Sequence, residues 1–126
     1  MAVLMLIGRI LFSIIFIRSG IKHFTNIDTM AKMTESNGLP APKFMVGLTG
    51  LMILLGGISI LLGVYVKIGS ILLLIFLIAA AFTIHNFWTI DDPMRKAGQQ
   101  AQFYKNLALA GASLLLFAHG AGSLSL

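Results

Sequence analysis

The run Ile71-Leu72-Leu73-Leu74-Ile75-Phe76-Leu77-Ile78-Ala79-Ala80-Ala81-Phe82 decides the architecture, because it lies inside a stretch, residues 68–90, without a single Asp, Glu, Lys or Arg. About 20 predominantly apolar residues in a helix cross the hydrocarbon core of a bilayer. Backbone in oil has no water to bond, so an apolar segment of this length is read as a helix that satisfies its own hydrogen bonds. Working outward, residues 44–66 and 106–126 are equally free of those four residue types, and each is predicted to span. The first segment, about residues 2–24, contains Arg9, Arg18 and Lys22. Its Leu, Ile, Val and Phe side chains each favour insertion by about 0.3–0.6 kcal/mol, against about 2.5–3.5 kcal/mol for an Arg at the centre and less toward the ends. The balance is close, and packing against three apolar neighbours tips it toward a fourth span.

Composition agrees. Hydrophobic residues make up 58% of the 126 and charged residues 10%, where soluble domains average about 45–50% and about 25%. The absence of Cys excludes disulfides, thiolate metal or iron–sulfur sites and thiol redox chemistry by the chain itself. Nine Lys and Arg against four acids give a formal charge of +5. These cations flank apolar segments, so membrane lipids with anionic head groups are the expected counter-charge and nucleic acid is not an expected partner. The N-terminus is read as a retained helix rather than a cleaved signal: no basic residue precedes Val3-Leu4-Met5-Leu6-Ile7, Arg9 interrupts the apolar run, and Ile17-Arg18-Ser19-Gly20-Ile21-Lys22 lacks a small-x-small cleavage pattern.

The connecting segments punctuate the same division. Thr25-Asn26 can cap a short amphipathic helix through Ser36, whose Ile27, Met30, Ala31 and Met33 are expected to lie on the membrane surface. Asn37-Gly38-Leu39-Pro40-Ala41-Pro42 ends it. Val64 to Lys67 forms a tight connection beside Gly63, and Asp91-Asp92-Pro93 breaks the chain before a polar segment that leads into the last span at Gln102. The prediction is an all-α integral membrane four-helix bundle of up-down topology. It forms one domain over residues 1–126, with helices at about 2–24, 44–66, 67–89 and 103–123 and a short amphipathic helix at about 26–36. Loops one and three then share Lys22, Lys32, Lys43, Arg95, Lys96 and Lys105, which places them in the cytoplasm of a bacterial plasma membrane and both termini outside.

In lipid, small residues that let backbones approach mark helix contacts. Gly8 and Gly20 on the first span, Gly47, Gly50, Gly56, Gly57 and Gly63 on the second, and Gly111 on the last are the expected packing positions, with surplus glycine face for a homo-oligomer.

The ionisable and hydrogen-bonding residues within the spans are the functional candidates. Helix directions bring Arg18, Lys22 and His23 to the membrane level of His85, Asn86, Trp88, Tyr104 and Asn106. Such a layer, cationic, rich in donors and rimmed by aromatics, suits the head group of a quinone or lipid; it also resembles an interfacial belt of snorkelling cations and anchoring aromatics. Arg9 is a separate, structural intramembrane charge with no carboxylate in any span, to be met by lipid phosphate, helix carbonyls, Ser13, Ser59 or His119. No metal site is expected. Only His23 and His85 could meet for a bis-His haem, no intramembrane acid supports a proton relay, and no Ser-His-Asp arrangement is available. No catalytic residue is assigned.

Taken together, Gly8-Arg9, Ser19-Gly20-Ile21-Lys22-His23-Phe24, Gly38-Leu39-Pro40-Ala41-Pro42, Gly56-Gly57-Ile58-Ser59-Ile60-Leu61-Leu62-Gly63, His85-Asn86-Phe87-Trp88 and Phe103-Tyr104-Lys105-Asn106-Leu107-Ala108-Leu109-Ala110-Gly111 resemble, in order and spacing, the DoxX family of small four-helix membrane proteins. The resemblance implies a membrane module. Some relatives look like membrane subunits of quinone-linked oxidoreductases and others are associated with redox-stress complexes. Members often carry a Glu three residues before the paired glycines, where this chain has Ile53. The expected function is therefore a non-catalytic module that binds a lipid, a quinone-like cofactor or redox-complex subunits. The alternatives are a membrane subunit of a quinone-linked oxidoreductase and a small transporter, the last disfavoured because no discontinuous helix with convergent charges is evident.

Overall fold

The structure, a computed structural model, describes residues 1–124; the end of the predicted fourth span, residues 125 and 126, lies outside the described residues. The elements are α1 (Ala2–Thr25), α2 (Ile27–Ser36), α3 (Pro42–Leu62), α4 (Val66–Thr83), a single 3-10 turn (Phe87–Thr89) and α5 (Pro93–His119), with no strand among the described residues. Three of them, α1, α3 and the segment Val66–Thr89, are long and apolar enough to cross a membrane.

The last helix differs from the expectation for 103–123. It starts at Pro93, because the Asp92 carboxylate accepts from the Arg95 amide at 2.9 Å and proline at the first position already has helical φ and no amide to satisfy. The residues up to Gln102, read as a polar linker, are thus the first turns of α5. α5 is not among the three clearly apolar spans, because Gln102, Lys105 and Asn106 lie in its last 18 residues and it ends at His119. The helix expected to run to residue 89 also stops early, at Thr83. The amides of Ile84 and His85 share the Ala80 carbonyl, at 2.9 and 3.0 Å, and the chain leaves the helix where the His85 ring is held by Gln99 on α5.

Between α3 and α4 the turn is only three residues long. Gly63 closes α3 in the left-handed region, φ 75°. Tyr65 is left-handed as well, φ 53°, and Ser59 Oγ lies at bonding distance from the carbonyls of Val64 and Tyr65, 3.0 Å from the latter. That hydroxyl holds in place a conformation that a side chain rarely adopts unaided.

α1 packs on α3, α3 on α4 and α4 on α5, while α2 crosses α3 and touches α1. No Cα of α1 comes within 8 Å of one in α4 or α5 among the described residues. Close approach at the seams depends on missing side chains. A Cβ at Gly20 would stand 2.8 Å from Leu54 Cβ, at Gly50 2.6 Å from His23 Cβ, at Gly57 3.1 Å from Phe16 and Ile17, and at Gly56 2.8 Å from Leu73. Gly69 packs the same way on Ser59. By contrast, a Cβ at Gly8, Gly47 or Gly111 would meet nothing within 4 Å, so these three lie outside the helix contacts of the chain. Gly63 acts as a helix cap. Phe16, Ile53, Ile60, Val66, Leu73, Leu77 and Ala110 form the core.

The short helix packs on the bundle. Ala31 and Thr34 are buried and α2 lies against α3, so its inner side covers protein. Of the apolar residues expected on that surface, Met33 is exposed.

Candidate functional site

At the end of the fold where α1 finishes, α3 begins and α4 gives way to α5, the helices enclose a cavity of about 320 Å³. That volume is at the small end of the range for ligand pockets, about 300–1,000 Å³. Its walls are mainly apolar, including Met30, Met45, Phe76 and Ala80, and its polar lining includes His23, His85, Asn106 and Lys105.

His23 sits in the last turn of α1 and is buried. Its Nδ1 lies 3.1 Å from the Val46 carbonyl and 3.2 Å from Thr49 Oγ1. A carbonyl only accepts, and the Thr49 hydroxyl donates to the Met45 carbonyl at 2.7 Å. Nδ1 therefore carries a proton, and when the ring is neutral Nε2 is left as an acceptor. His85 repeats the pattern: its Nδ1 is 2.7 Å from Gln99 Oε1. Neither Nε2 has a partner among the described residues. Asn106, also buried, donates from Nδ2 to the Leu77 carbonyl at 3.3 Å. Lys105 donates to Gln102 Oε1 at 2.6 Å. The arrangement offers two imidazole acceptors, an amide and an ammonium to a ligand whose remainder is apolar.

The cavity has a side opening. Ala79 and Met33 line it yet are exposed, and no Cα of α2 comes within 8 Å of one in α4 or α5 among the described residues. The gap between α2 and α4 leaves this side of the cavity open.

The residues anticipated as a single layer fall into three groups. His23, His85 and Asn106 line the cavity. Arg18 and Lys22 do not; they lie on the outer face of α1 in a separate shallow groove with Ile14, Ile17 and Ile21. Trp88 and Tyr104 are exposed and belong to an aromatic cluster around Phe103, with ring centroids 5.6 Å from Trp88 and 5.3 Å from Tyr104 and Phe82. Asn86 caps the 3-10 turn through its carbonyl, which accepts from the Thr89 hydroxyl at 2.9 Å. Sequence reasoning did not assign Gln99, Gln102, Thr49 or Lys105 to a site. Gln102, Lys105 and Asn106 have i, i+3, i+4 spacing, a one-face signal that was hidden once residues 93–102 were read as a linker.

Arg9 is at the opposite end of α3 and only 2% exposed. Nη1 donates to the carbonyls of Ile60 and Leu61 at 3.3 and 3.5 Å, and Nη2 to that of Leu124. Ile60 and Leu61 are in the last turn of α3, where carbonyls lack helical partners and the helix dipole is negative. Of the groups anticipated for this charge, helix carbonyls meet it, whereas Ser13 and Ser59 donate elsewhere.

No solved structure matches the chain. Two similar proteins are inner membrane proteins of Escherichia coli K12. YphA is 30% identical over 98% of this chain and 88% of its own length. YqjF is 30% identical over 96% of this chain and 87% of its own length. The DoxX family profile matches residues 4–86, and with a helical fold rich in membrane-length apolar segments the chain belongs to the DoxX family.

Proposed function

We infer that this chain is a non-catalytic module of the bacterial inner membrane that holds the head group of a quinone-like or lipid-like amphiphile in the cavity between His23 and His85. The supporting observation is the pairing of two histidines whose Nδ1 atoms are each committed to an acceptor, in an apolar cavity that opens sideways. An amphiphile can enter from the bilayer without leaving it, present hydroxyl or amide donors to the imidazoles, and keep its tail in lipid. In this reading α5 supplies a fourth crossing through the 17 residues from Phe103 to His119, at the short end of the length that spans a bilayer, about 17–25 residues. Loops one and three then face the cytoplasm with their Lys and Arg, and both termini lie outside.

Gentle purification followed by mass spectrometry of co-isolated small molecules tests the proposal. Wild type is expected to retain an amphiphile that a His23→Ala, His85→Ala double variant loses by at least about ten-fold. Identical contents in the two preparations would discard the cavity as a binding site.

The same imidazoles favour a second reading, a membrane subunit of a quinone-linked oxidoreductase, because a neutral Nε2 can accept the proton a quinol releases on oxidation. Membranes lacking the chain would then lose a quinone-dependent activity. Unchanged activity rejects a required role.

A further inference from the structure

α1 gives one side to α3, where Gly20 meets Leu54. Its outer side carries Arg18 and Lys22, four residues apart and so on one helix face, both of them exposed. They share a shallow groove with Ile14, Ile17 and Ile21, and no Cα of α4 or α5 lies within 8 Å of α1 among the described residues. The two cations have no counter-charge in the described chain. Asp28 is paired with Lys43 at 3.3 Å, Asp92 caps α5, and neither Arg18 nor Lys22 has an ion-pair partner among the described residues.

We propose that this groove is a binding site for an anionic phospholipid of the phosphatidylglycerol type, with its phosphodiester on Arg18 and Lys22 and an acyl chain along Ile21, Ile17 and Ile14. The rise of an α-helix separates Arg18 and Lys22 by about 6 Å along the axis. A forked guanidinium and a point-charge ammonium at that spacing can grip one phosphodiester together. The isoleucines extend about 10 Å down the helix, in the direction the acyl chain takes into the hydrocarbon. Charge decides the class of occupant. A zwitterionic lipid brings its own ammonium to two uncompensated cations, whereas phosphatidylglycerol brings none. A second copy docked here about a two-fold axis would set Arg18 and Lys22 against their own counterparts. The site is distinct from the cavity and does not depend on what the cavity holds.

The test places the full chain in nanodiscs containing equal amounts of phosphatidylglycerol and phosphatidylcholine and counts retained lipids by native mass spectrometry. A basic residue near an anionic surface contributes a factor of about five, so wild type is expected to prefer phosphatidylglycerol by roughly 25-fold. Arg18→Gln with Lys22→Gln should bring the preference close to unity, and Arg18→Lys with Lys22→Arg should retain most of it. Lys67→Gln, on the first turn of α4, should leave it intact. If the double variant fails to fold, Lys22→Gln alone should lower the preference about five-fold. Equal retention of the two lipids by wild type overturns the proposal, as does a wild-type preference in the Gln variants or a cross-link between two copies at Ile17.

Discussion

Arg9 on α1 and Ile60 on α3 are joined by a hydrogen bond from the guanidinium Nη1 to a main-chain carbonyl, 3.3 Å long and buried. The carbonyl is one that the end of α3 leaves without a helical partner, so a single side chain satisfies an orphan acceptor and places its charge at the negative pole of the helix. No carboxylate takes part among the described residues. Ile53, at the position where the family resemblance implies a Glu, is wholly buried in the apolar core, and the described partners of the Arg9 Nη atoms are carbonyls.

Replacing Arg9 by Lys keeps the charge and removes the fork. One ammonium cannot reach Ile60, Leu61 and Leu124 in the directions the guanidinium does. A lost bond to a charged donor costs about 1.5–3 kcal/mol, so Arg9→Lys should lower the unfolding free energy in detergent by about that amount. A variant as stable as wild type would show that the clamp contributes nothing.

Gly50 and Gly47 are three residues apart on α3 and make opposite demands. A Cβ at Gly50 would stand 2.6 Å from His23 Cβ and 3.3 Å from the Phe24 ring, whereas one at Gly47 meets nothing within 4 Å. Gly50→Ala should destabilise by about 1–3 kcal/mol through overpacking. Gly47→Ala should be neutral or stabilise by up to about 1 kcal/mol through helix propensity. Parallel thermal melts of the two proteins check the sign, and equal effects would contradict the seam as described.

The apolar spans were legible because chemistry in a bilayer is severe: a run such as Leu72 to Ala81 has no alternative to a helix. Less legible was the pairing of those helices. Gly8 and Gly50 look alike in sequence, and only the path of α1 across α3 buries one and leaves the other open. Of the residues expected at one membrane level, His23, His85 and Asn106 line one cavity. Depth does not give rotation about the helix axis, and rotation is what sends Arg18 and Lys22 outward. The start of α5 was written in Asp92-Pro93, a cap followed by a first-position proline. Reading that pair only as a break concealed the face formed by Gln102, Lys105 and Asn106.

That cap makes its own prediction. Asp92→Ala removes the acceptor for the Arg95 amide, a loss worth about 0.5–2 kcal/mol. The effect should be local: hydrogen exchange at the first turn of α5 should accelerate, while amides in the middle of α3 keep their protection. Uniform acceleration along the chain would mean that α5 is cooperative with the core from its first residue.

The side opening provides the most direct check on how a ligand reaches the histidines. Ala79 lies on α4 at the rim of the cavity and is exposed, so an indole there has room to stand in the gap toward α2 without entering the core. Ala79→Trp is therefore expected to leave stability within about 0.5 kcal/mol of wild type, as exposed substitutions generally do. It should also slow the uptake of an added amphiphile by several-fold in a stopped-flow or exchange measurement. The Nδ1 bonds of His23 and His85 are untouched, so the amount bound at equilibrium should change much less than the rate. Unaltered uptake would locate the entrance elsewhere, toward the exposed Gln102 and Lys105 on α5, and would make the water side rather than the bilayer the source of the ligand.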